Sequence, residues 1–587
     1  MTYVRRIASA VALISLIASA CAPASAPPPA AAPTAAPQAA PTTAPQPAAQ
    51  PTVSPQQLRP TAVPDAPRPA QATPTPAASA ETPKRGGWLV AYMTNIGRTL
   101  DPNQETSILP SEALASTFHR VTAVDPDRLP KERVVIGQPA YKWQTDASAQ
   151  KWTYHLKTGF RFHDGQPLTS ADVKATLERI RDTPGGIISP YKSVMSTIEK
   201  VDIPNERTVI VTTKQPSPWM LSFLALPTAS IIPAHIVSKD QKALERNPIG
   251  SGPFKFSARE DDVKLEFVRN DKYNDPQLPY LDGHRWLVIR ESATQLAALR
   301  TGRVNFSGFG TRGLSKSEGD ILVQRVPGAV LQYNGTTAIQ ILWLNTKSGP
   351  FKDVRVRQAA AKVLNQQEII DIAHEGVGFK GDFTGPAGLT WSLPENTLKN
   401  IPSYRGPTDA DIADAKSLMK EAGYPDGFRA ESLLSDTGNE YGFRLAVVTK
   451  HLAKIGITVT PKLTRYHVEW VPAMREGRFI LTEGPTQPVL YDPQALLSIW
   501  TTGDVGNYTG LNDSKVDDLY KKQGAIVDPV ERKKVVDQLQ ERLWELAPGI
   551  PTYQSMYIHA VMPEVRGWTH PGIMGDNFWY ERVWIAR

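Results

Sequence analysis

Two patterns of apolar residues alternate along the chain from about residue 84 onward. Trp88–Met93 and Lys151–Leu156 have the composition of strands, and 263–269 alternates between apolar and polar side chains. After Thr169, which begins a capping-box-like sequence with Asp172 in the acidic position, apolar residues recur on one helical face. Further helices are predicted at 293–300 before Gly302, at 354–364 after Asp353, from Asp409 to Lys420, and at Pro529–Leu546. This mixture predicts an α/β body.

The first twenty residues have the pattern of an export signal. Arg5 and Arg6 precede an uncharged run at 7–20, which is short for a membrane span but suits a signal-peptide core. The run ends in small residues directly before Cys21, the only cysteine of the chain. The pattern resembles a bacterial lipoprotein signal, with Ala18 where Leu is usual, so Cys21 is the predicted lipid-attachment residue. A plain secretory signal with an incidental cysteine is the alternative.

The segment that follows the signal is dominated by alanine and proline. Residues 22–83 contain 20 Ala and 18 Pro, no aromatic residue and four charged ones. Such a composition buries too little apolar surface to offset its ordering entropy, so residues 21–84 are predicted to be a disordered tether after the lipidated cysteine. Its prolines favour extended polyproline II. The composition changes near Lys84, where the folded body is expected to begin.

Composition excludes several classes of function. The formal net charge of +7 is modest and dispersed, which argues against a nucleic-acid binder. One cysteine excludes a disulfide within the chain and a zinc site made of cysteines. The uncharged stretch 215–238 contains four prolines, so a buried irregular segment is favoured over a second membrane span.

Short motifs along the body resemble the extracytoplasmic solute-binding proteins of the peptide/nickel type (family 5), which serve ABC importers. The most specific stretches are 152–159 and 162–173, the latter reading from Phe162-His163-Asp164-Gly165 to Val173. Other matching stretches follow in the family's order, at 85–87, 99–102, 250–256, 269–273, 279–282, 298–304, 351–359, 421–428 and 550–553. Each is weak alone, but together they extend over about 500 residues of the chain.

The resemblance implies a periplasmic-binding-protein type II fold, with two lobes joined by a hinge. Lobe one would comprise residues 85–306, including an extra subdomain near 125–235. Lobe two would comprise 307–548, and 549–587 would return to lobe one. Ligand would be trapped between the lobes by hinge closure, because it contacts both and favours the closed state.

The resemblance also implies candidate ligand-binding residues. Peptide-binding members hold an extended peptide largely through backbone hydrogen bonds, and an Asp meets its ammonium group. The stretch 484–493 corresponds to that loop, which makes Gly484 a site residue and Asp492 the candidate for the ammonium. Asp492 followed by Pro493 is equally an N-cap with Pro at N1, so capping is the alternative. The family usually has Trp after the glycine, whereas Pro485 stands here.

Five further residues fall where the family's cleft-lining strands and loops lie: Thr94, Asn95, Trp343, Asn345 and Trp391. A buried Trp belongs more often to a core than to a ligand platform, so both interpretations stay open. Arg355 and Arg357 follow the N-cap Asp353 and are predicted to be structural ion-pairing residues.

No catalytic or cofactor motif emerges from the sequence. The glycines at 308–313 fit G-x-G-x-x-G, but no acidic residue lies between Asp320 and Asp353, so a flexible crossing between lobes is favoured over a dinucleotide site. The ten histidines are scattered and give no metal-ligand pair. We expect no enzyme activity, no cofactor and no metal.

The resulting hypothesis is a membrane-anchored, extracytoplasmic protein that captures a peptide or peptide-like solute and delivers it to an ABC permease and ATPase. It is expected to be a monomer without nucleic-acid partners. A binding protein for a non-peptide solute, such as an oligosaccharide or a metal chelate, and a ligand-sensing receptor component are the alternatives.

Overall fold

The computed structural model describes residues 82–105, 108–125, 127, 135–189, 191–308, 313–436, 439–486, 490–568 and 579–586. Residue contacts divide the chain into Met1–Pro67 and Arg68–Arg587, and every described residue belongs to the second unit. Cys21, the signal and most of the tether lie outside the described residues, as do residues 309–312 of the glycine motif.

The described strands are numbered in chain order. They are β1 (Trp88–Met93), β2 (Thr122–Val124), β3 (Val135–Gly137), β4 (Ala140–Thr145), β5 (Lys151–Leu156), β6 (Ile198–Asn205), β7 (Thr208–Thr213), β8 (Phe254–Glu260), β9 (Lys264–Arg269), β10 (Gly283–Val288), β11 (Val330–Leu344), β12 (Gly381–Asp382), β13 (Gly385–Pro386), β14 (Phe428–Ser435), β15 (Ile457–Thr464), β16 (Leu481–Pro485), β17 (Gly549–Val561), β18 (Val565–Arg566) and β19 (Trp584–Ile585).

The described α-helices are numbered in the same way. They are α1 (Ile108–Leu114), α2 (Ser170–Asp182), α3 (Lys192–Met195), α4 (Met220–Phe223), α5 (Ala234–Val237), α6 (Ser292–Arg300), α7 (Lys316–Arg325), α8 (Val354–Val363), α9 (Gln366–Ala373), α10 (Glu395–Leu398), α11 (Pro402–Arg405), α12 (Asp409–Glu421), α13 (Asn439–Ala453), α14 (Val471–Arg475), α15 (Pro493–Leu496), α16 (Ser514–Gly524) and α17 (Pro529–Leu546).

Local sequence signals account for many of these boundaries. The predicted strands Trp88–Met93 and Lys151–Leu156 and the helix Pro529–Leu546 are confirmed. Thr169 and Asp172 form the reciprocal capping box at the start of α2. Asp353 caps α8 through the backbone N–H of Arg355, and its carboxylate pairs with the Arg355 side chain. The ion pair predicted for Arg357 is wrong, because its guanidinium donates to the carbonyls of 351, 352 and 546 instead.

Three larger sheets organise the body. One has the order β1-β10-β9-β8, with β1 and β10 parallel, and a separate sheet has the order β4-β5-β7-β6. The third has the order β15-β14-β16-β11-β17, in which β14 runs parallel to β15 and β16. Each sheet has its own apolar cluster, and the third sheet has one on each face. The predicted α/β architecture is confirmed.

Two long strands connect these clusters. β11 has 15 residues and pairs antiparallel with the 13 residues of β17. Val561, at one end of β17, packs in the cluster of the β1 sheet, whereas Ile550 and Tyr553 pack with β11 in a cluster of the third sheet. The register between the strands is interrupted between Gly335 and Ile339. The paired strands therefore extend from one core into another, with an irregular step between them.

The stretch 215–238 is irregular, as expected. It contains the short helices α4 and α5 with a 3₁₀ turn between them, and most of its apolar side chains are buried. Across the part of the chain that the structure describes, no helix is long and apolar enough to span a membrane.

Candidate functional site

The carboxyl ends of three strands define one edge of the third sheet. Because β14, β15 and β16 run in the same direction, their last residues Ser435, Thr464 and Pro485 lie at this edge. Crevices outside the carboxyl ends of parallel strands are the usual ligand sites of open α/β sheets. We call this edge, with the segments that follow the three strands, the carboxyl edge.

A buried ion pair lies beneath the carboxyl edge. Arg444 on α13 donates from Nε to Oε2 of Glu483 at 2.8 Å, and both side chains are 2% exposed. Its Nη1 donates to the Tyr553 hydroxyl at 3.3 Å, and its guanidinium lies 4.3 Å from the centre of the Tyr441 ring. Burial is the largest influence on the pKa of Arg444 and would lower it, but the charge and hydrogen bond of Glu483 together with Tyr553 and Tyr441 outweigh burial and raise that pKa. The guanidinium therefore stays charged in the interior.

Aromatic side chains line the same edge. The segment Tyr466–Trp470 follows β15, and the rings of Tyr466 and Trp470 stack with centroids 5.2 Å apart. Trp470 is buried and donates from Nε1 to Thr482 Oγ1 at 3.1 Å. Burial, together with the nearby Tyr441 and Tyr508, raises the pKa of Tyr466 to about 12. The edge can thus offer aromatic faces and neutral hydroxyl groups to a solute.

Gly484 and Trp343, both predicted site residues, are in direct contact. Trp343 Nε1 donates to the Gly484 carbonyl at 3.1 Å, and the Trp343 ring stacks on Trp500. A Cβ at Gly484 would lie 2.8 Å from Cζ2 of Trp470, closer than carbon atoms pack. Position 484 accommodates glycine because the Trp470 ring packs too closely to leave room for a side chain. Trp343 is 1% exposed and belongs to the core beneath the edge.

Asp492 lies in the loop after β16, and both of its carboxylate oxygens accept hydrogen bonds from other residues of the protein. Its Oδ1 accepts from the backbone N–H of Gln494, which makes it the N-cap of α15. Arg532 on α17 donates to both carboxylate oxygens, at 2.6 and 2.9 Å. The same guanidinium lies 5.1 Å from the Trp391 ring, which joins two predicted site residues through Arg532. These contacts favour the capping interpretation of Asp492, and the ammonium role stays a prediction.

The remaining predicted residues lie apart from this cluster. Asn345 is buried beyond the end of β11, where its Nδ2 donates to the carbonyls of 477 and 479 and its Oδ1 accepts from the N–H groups of 347 and 348. These four hydrogen bonds show that the Asn345 side chain stabilises a turn. Thr94 is half-buried and Asn95 exposed after the carboxyl end of β1, where Asn95 Oδ1 accepts from Gly97 N.

The loop after β16 also contacts the separate sheet. Leu490 is 3% exposed and packs in the cluster of that sheet, β4-β5-β7-β6. The loop thus connects the carboxyl edge with the part of the chain that the sequence assigned to the subdomain.

Sequence reasoning missed Arg444, Glu483 and Arg532. Arg444 is 39 residues from Glu483, and Arg532 is 40 residues from Asp492. The available signal was Glu483, the single charged residue of the strand β16, because a buried charge requires a partner. Among the described residues, no group of three or more His, Cys, Asp and Glu is arranged to hold a metal ion.

Comparisons with known proteins agree with this architecture. The sequence pattern of the family described as "Bacterial extracellular solute-binding proteins, family 5 Middle" matches residues 134–508. The glutathione-binding protein GsiB of Escherichia coli K12 is 24% identical over 489 residues, covering 81% of this chain and 90% of GsiB.

Two solved structures are similar in fold. The periplasmic binding protein DppA of Helicobacter pylori, in complex with the peptide STSA, has a TM-score of 0.68 at 22% identity and covers 86% of this chain and 99% of its own. AgaA of A. tumefaciens R10, in complex with agropinic acid, has a TM-score of 0.65 at 27% identity, covering 85% and 99%. The fold is that of type II periplasmic binding proteins, as the sequence predicts.

Proposed function

Because the chain belongs to the bacterial extracellular solute-binding proteins of family 5, we propose that it captures a peptide or peptide-like solute by closing two lobes around it. The sheets β1-β10-β9-β8 and β4-β5-β7-β6 form one lobe, and the sheet with the carboxyl edge forms the other. The β11–β17 pair is the hinge. The proposal assigns no chemical reaction to the chain.

One observation carries the proposal: Leu490, in the loop after β16, is buried in the cluster of the other lobe. A ligand held at the carboxyl edge would meet this loop and the opposite lobe together. Contacts with both lobes favour the closed state by the ligand's differential affinity for it. The closed form is then the species delivered to an ABC importer made of a permease and an ATPase. Relatives named for glutathione and for a bound peptide support a peptide-like solute.

A second candidate, a non-peptide solute, is favoured by Pro485. An extended peptide bound by strand addition needs backbone N–H donors from the receptor strand, and proline has none. Proline replaces the usual residue directly after Gly484 at the end of β16. AgaA, crystallised with agropinic acid, supports this alternative.

Native mass spectrometry combined with small-angle scattering tests both candidates. Protein purified without denaturation would carry a set of masses matching short peptides if the first candidate holds, and a single non-peptide mass if the second holds. Removing the ligand should increase the radius of gyration, and restoring it should reverse the change. Leu490→Asp, with Val505→Asp as an exposed control, should weaken the closed state. An unchanged radius with and without a bound mass would exclude hinge closure.

The proposed location is extracytoplasmic, with the body tethered to a membrane through lipidated Cys21. Cys21→Ser should move the protein from the membrane fraction to the soluble fraction. An equal membrane share for both proteins would contradict the lipid anchor.

A further inference from the structure

A surface cavity of about 540 Å³ opens at one end of the β4-β5-β7-β6 sheet, where β4 and β7 begin and β5 and β6 end. Its walls come from the start of β4, from the end of β5 with the residues directly after it, and from the turn between β6 and β7. A volume of this size is ordinary for small-molecule sites in proteins. The cavity lies on a different sheet from the carboxyl edge and is therefore a separate candidate site.

The fully charged side chains that line this cavity are basic. Lys157 and Arg207 are exposed there, and neither pairs with a carboxylate of the described residues within 4.0 Å. Glu206, the residue before Arg207, is not among the residues that line the cavity. Because the described lining contains two cations and no carboxylate, its charge favours an anionic ligand.

Hydrogen bonds hold the two cationic positions in a fixed relation. The backbone N–H of Leu156 donates to the Arg207 carbonyl at 2.8 Å, and the N–H of Lys157 donates to the Pro139 carbonyl at 2.7 Å. Asn205 Oδ1 accepts from the N–H of Arg207 at 3.0 Å, which closes the turn between β6 and β7. The ends of neighbouring strands therefore present Lys157 and Arg207 to the same cavity on a rigid backbone.

Neutral groups complete the lining. Thr158 and Thr208 add hydroxyl groups, which donate and accept hydrogen bonds. Tyr141 is 61% exposed, and its ring lies at a tilt to the His155 ring, with the centroids 6.2 Å apart. An exposed aromatic face beside cations and hydroxyls suits a ligand that has both an anionic group and an organic part.

We propose that this cavity binds a phosphate monoester, with Lys157 and Arg207 on the phosphate and Tyr141 against the organic part. The site is additional to solute capture and does not depend on it. A guanidinium can hold two phosphate oxygens at once, and an ammonium adds a second point of charge. A phosphate monoester has a charge of about −2 at neutral pH, which matches two cations, whereas a carboxylate matches only one.

The first test measures binding of glucose 6-phosphate, glucose and glucuronate by calorimetry. The full-length protein with Cys21→Ser is used throughout, so that no lipid anchor contributes. Glucose 6-phosphate should bind about tenfold more tightly than glucuronate, because the phosphate engages both cations, and glucose should not bind measurably. Equal binding of the phosphate and the carboxylate, or no binding of the phosphate to either soluble or vesicle probes, would overturn the proposal.

Variants locate the binding. Lys157→Gln and Arg207→Gln should each weaken glucose 6-phosphate binding about tenfold, as expected for the loss of one charge-assisted contact. Lys151→Gln is the matched control, because Lys151 is also exposed on β5 but does not line the cavity. All three side chains are exposed, so the unfolding temperatures should stay close to that of the parent. Unchanged affinity in the double variant Lys157→Gln/Arg207→Gln would place the binding elsewhere and overturn the proposal.

Tyr141→Ala tests the contact with the organic part. The variant should weaken binding of glucose 6-phosphate several-fold and leave binding of inorganic phosphate unchanged. If Tyr141→Ala has no effect on either probe, the cavity recognises the phosphate group alone, and the assignment of a monoester with an organic part is wrong.

Vesicles distinguish the two sources of this chemistry, a soluble sugar phosphate and a phospholipid headgroup. Phosphatidylcholine vesicles are compared with and without phosphatidic acid, and with phosphatidylserine at equal total charge. Co-sedimentation that requires phosphatidic acid, and that Lys157→Gln/Arg207→Gln abolishes, would identify the lipid as the source. Binding of glucose 6-phosphate without co-sedimentation would identify a soluble ligand. Equal co-sedimentation with phosphatidylserine would show only general attraction to an anionic surface and would overturn the phosphate assignment.

Discussion

Arg532 and Arg120 are both buried arginines, but their surroundings differ. Arg532, on α17, donates to both oxygens of Asp492 and to Gln523, and it covers the Trp391 ring. Arg120, before β2, donates no side-chain hydrogen bond to the described residues, and the charge that acts on it is Glu581. We refer to these surroundings as the Asp492 region and the Arg120 region.

The difference lies in how much of each guanidinium's hydrogen-bonding capacity is used within the protein. In the Asp492 region the sequence pattern suggested a ligand contact, yet both carboxylate oxygens of Asp492 accept hydrogen bonds within the protein. In the Arg120 region no motif drew attention, yet donors remain uncommitted. An acidic or basic residue in a cleft is therefore best judged by how much of its hydrogen-bonding capacity is already used.

The largest expected effect is that of Asp492→Ala on stability. The change leaves Arg532 buried without its carboxylate and removes the cap of α15, so we expect a loss of about 3–5 kcal/mol in the free energy of unfolding. Denaturant unfolding measures it. Asp513→Ala is the matched control, because Asp513 also caps a helix and pairs with an arginine, Arg542, at a more exposed position. The control should lose less, about 1 kcal/mol. A loss of peptide affinity in Asp492→Ala without a loss of stability would restore the ammonium role.

Glu581→Gln should change how stability depends on pH. Burial raises the pKa of Glu581 to about 7, above its ordinary value of 4.5. The folded protein therefore holds this proton more tightly than the unfolded chain does. The stabilisation from Glu581 is complete below about pH 4.5 and is lost as the pH rises to about 7.

Unfolding midpoints of the parent and of Glu581→Gln across pH 4.5–7.5 measure this contribution. The parent should lose on the order of 2–3 kcal/mol relative to the variant over that interval. Parallel curves would mean that Glu581 is ionised throughout, and hence that it neutralises Arg120, which would weaken the contrast between the two regions.

Gly484→Ala should have the smallest effect of the three. The added Cβ would approach the Trp470 ring, and relieving this overlap should destabilise the protein by about 1–3 kcal/mol. Gly442→Ala is the control, because a Cβ there meets no atom within 4 Å and alanine favours the helix. Thermal unfolding compares the two variants. If Gly484→Ala leaves stability unchanged, the Trp470 ring can shift to make room for the added methyl group. The packing at the end of β16 would then be less rigid than the buried Asp492–Arg532 pair.

Much of the fold could be predicted because the relevant signals are local. The strand Trp88–Met93 follows from its apolar composition, and α2 begins where Thr169 and Asp172 can bond each other. Such signals extend over a few residues and depend little on the rest of the chain. The α/β class follows from their order.

The site was less predictable because its pairings join residues distant in sequence. Nothing around Asp492 indicates that Arg532 lies opposite, and the same Asp-Pro sequence serves as a helix start or as a ligand contact. Arg120 has no side-chain hydrogen bond to the described residues because the tertiary fold brings no acceptor close to it. A local sequence pattern cannot predict this. Asn345 and Trp343 were placed by resemblance, and their roles became clear only from their bonded partners.

If the proposed two-lobe arrangement holds, the pairing of β11 with β17 would determine how the lobes move relative to each other. Two hydrogen-bonded strands can bend out of their common plane while their hydrogen bonds stay intact. Sliding one strand along the other would break all of these hydrogen bonds together. The strands would bend most easily between Gly335 and Ile339, where the pairing register is interrupted. The lobes would then move only by bending of the paired strands and not by sliding. They would therefore return to the same relative orientation after each opening.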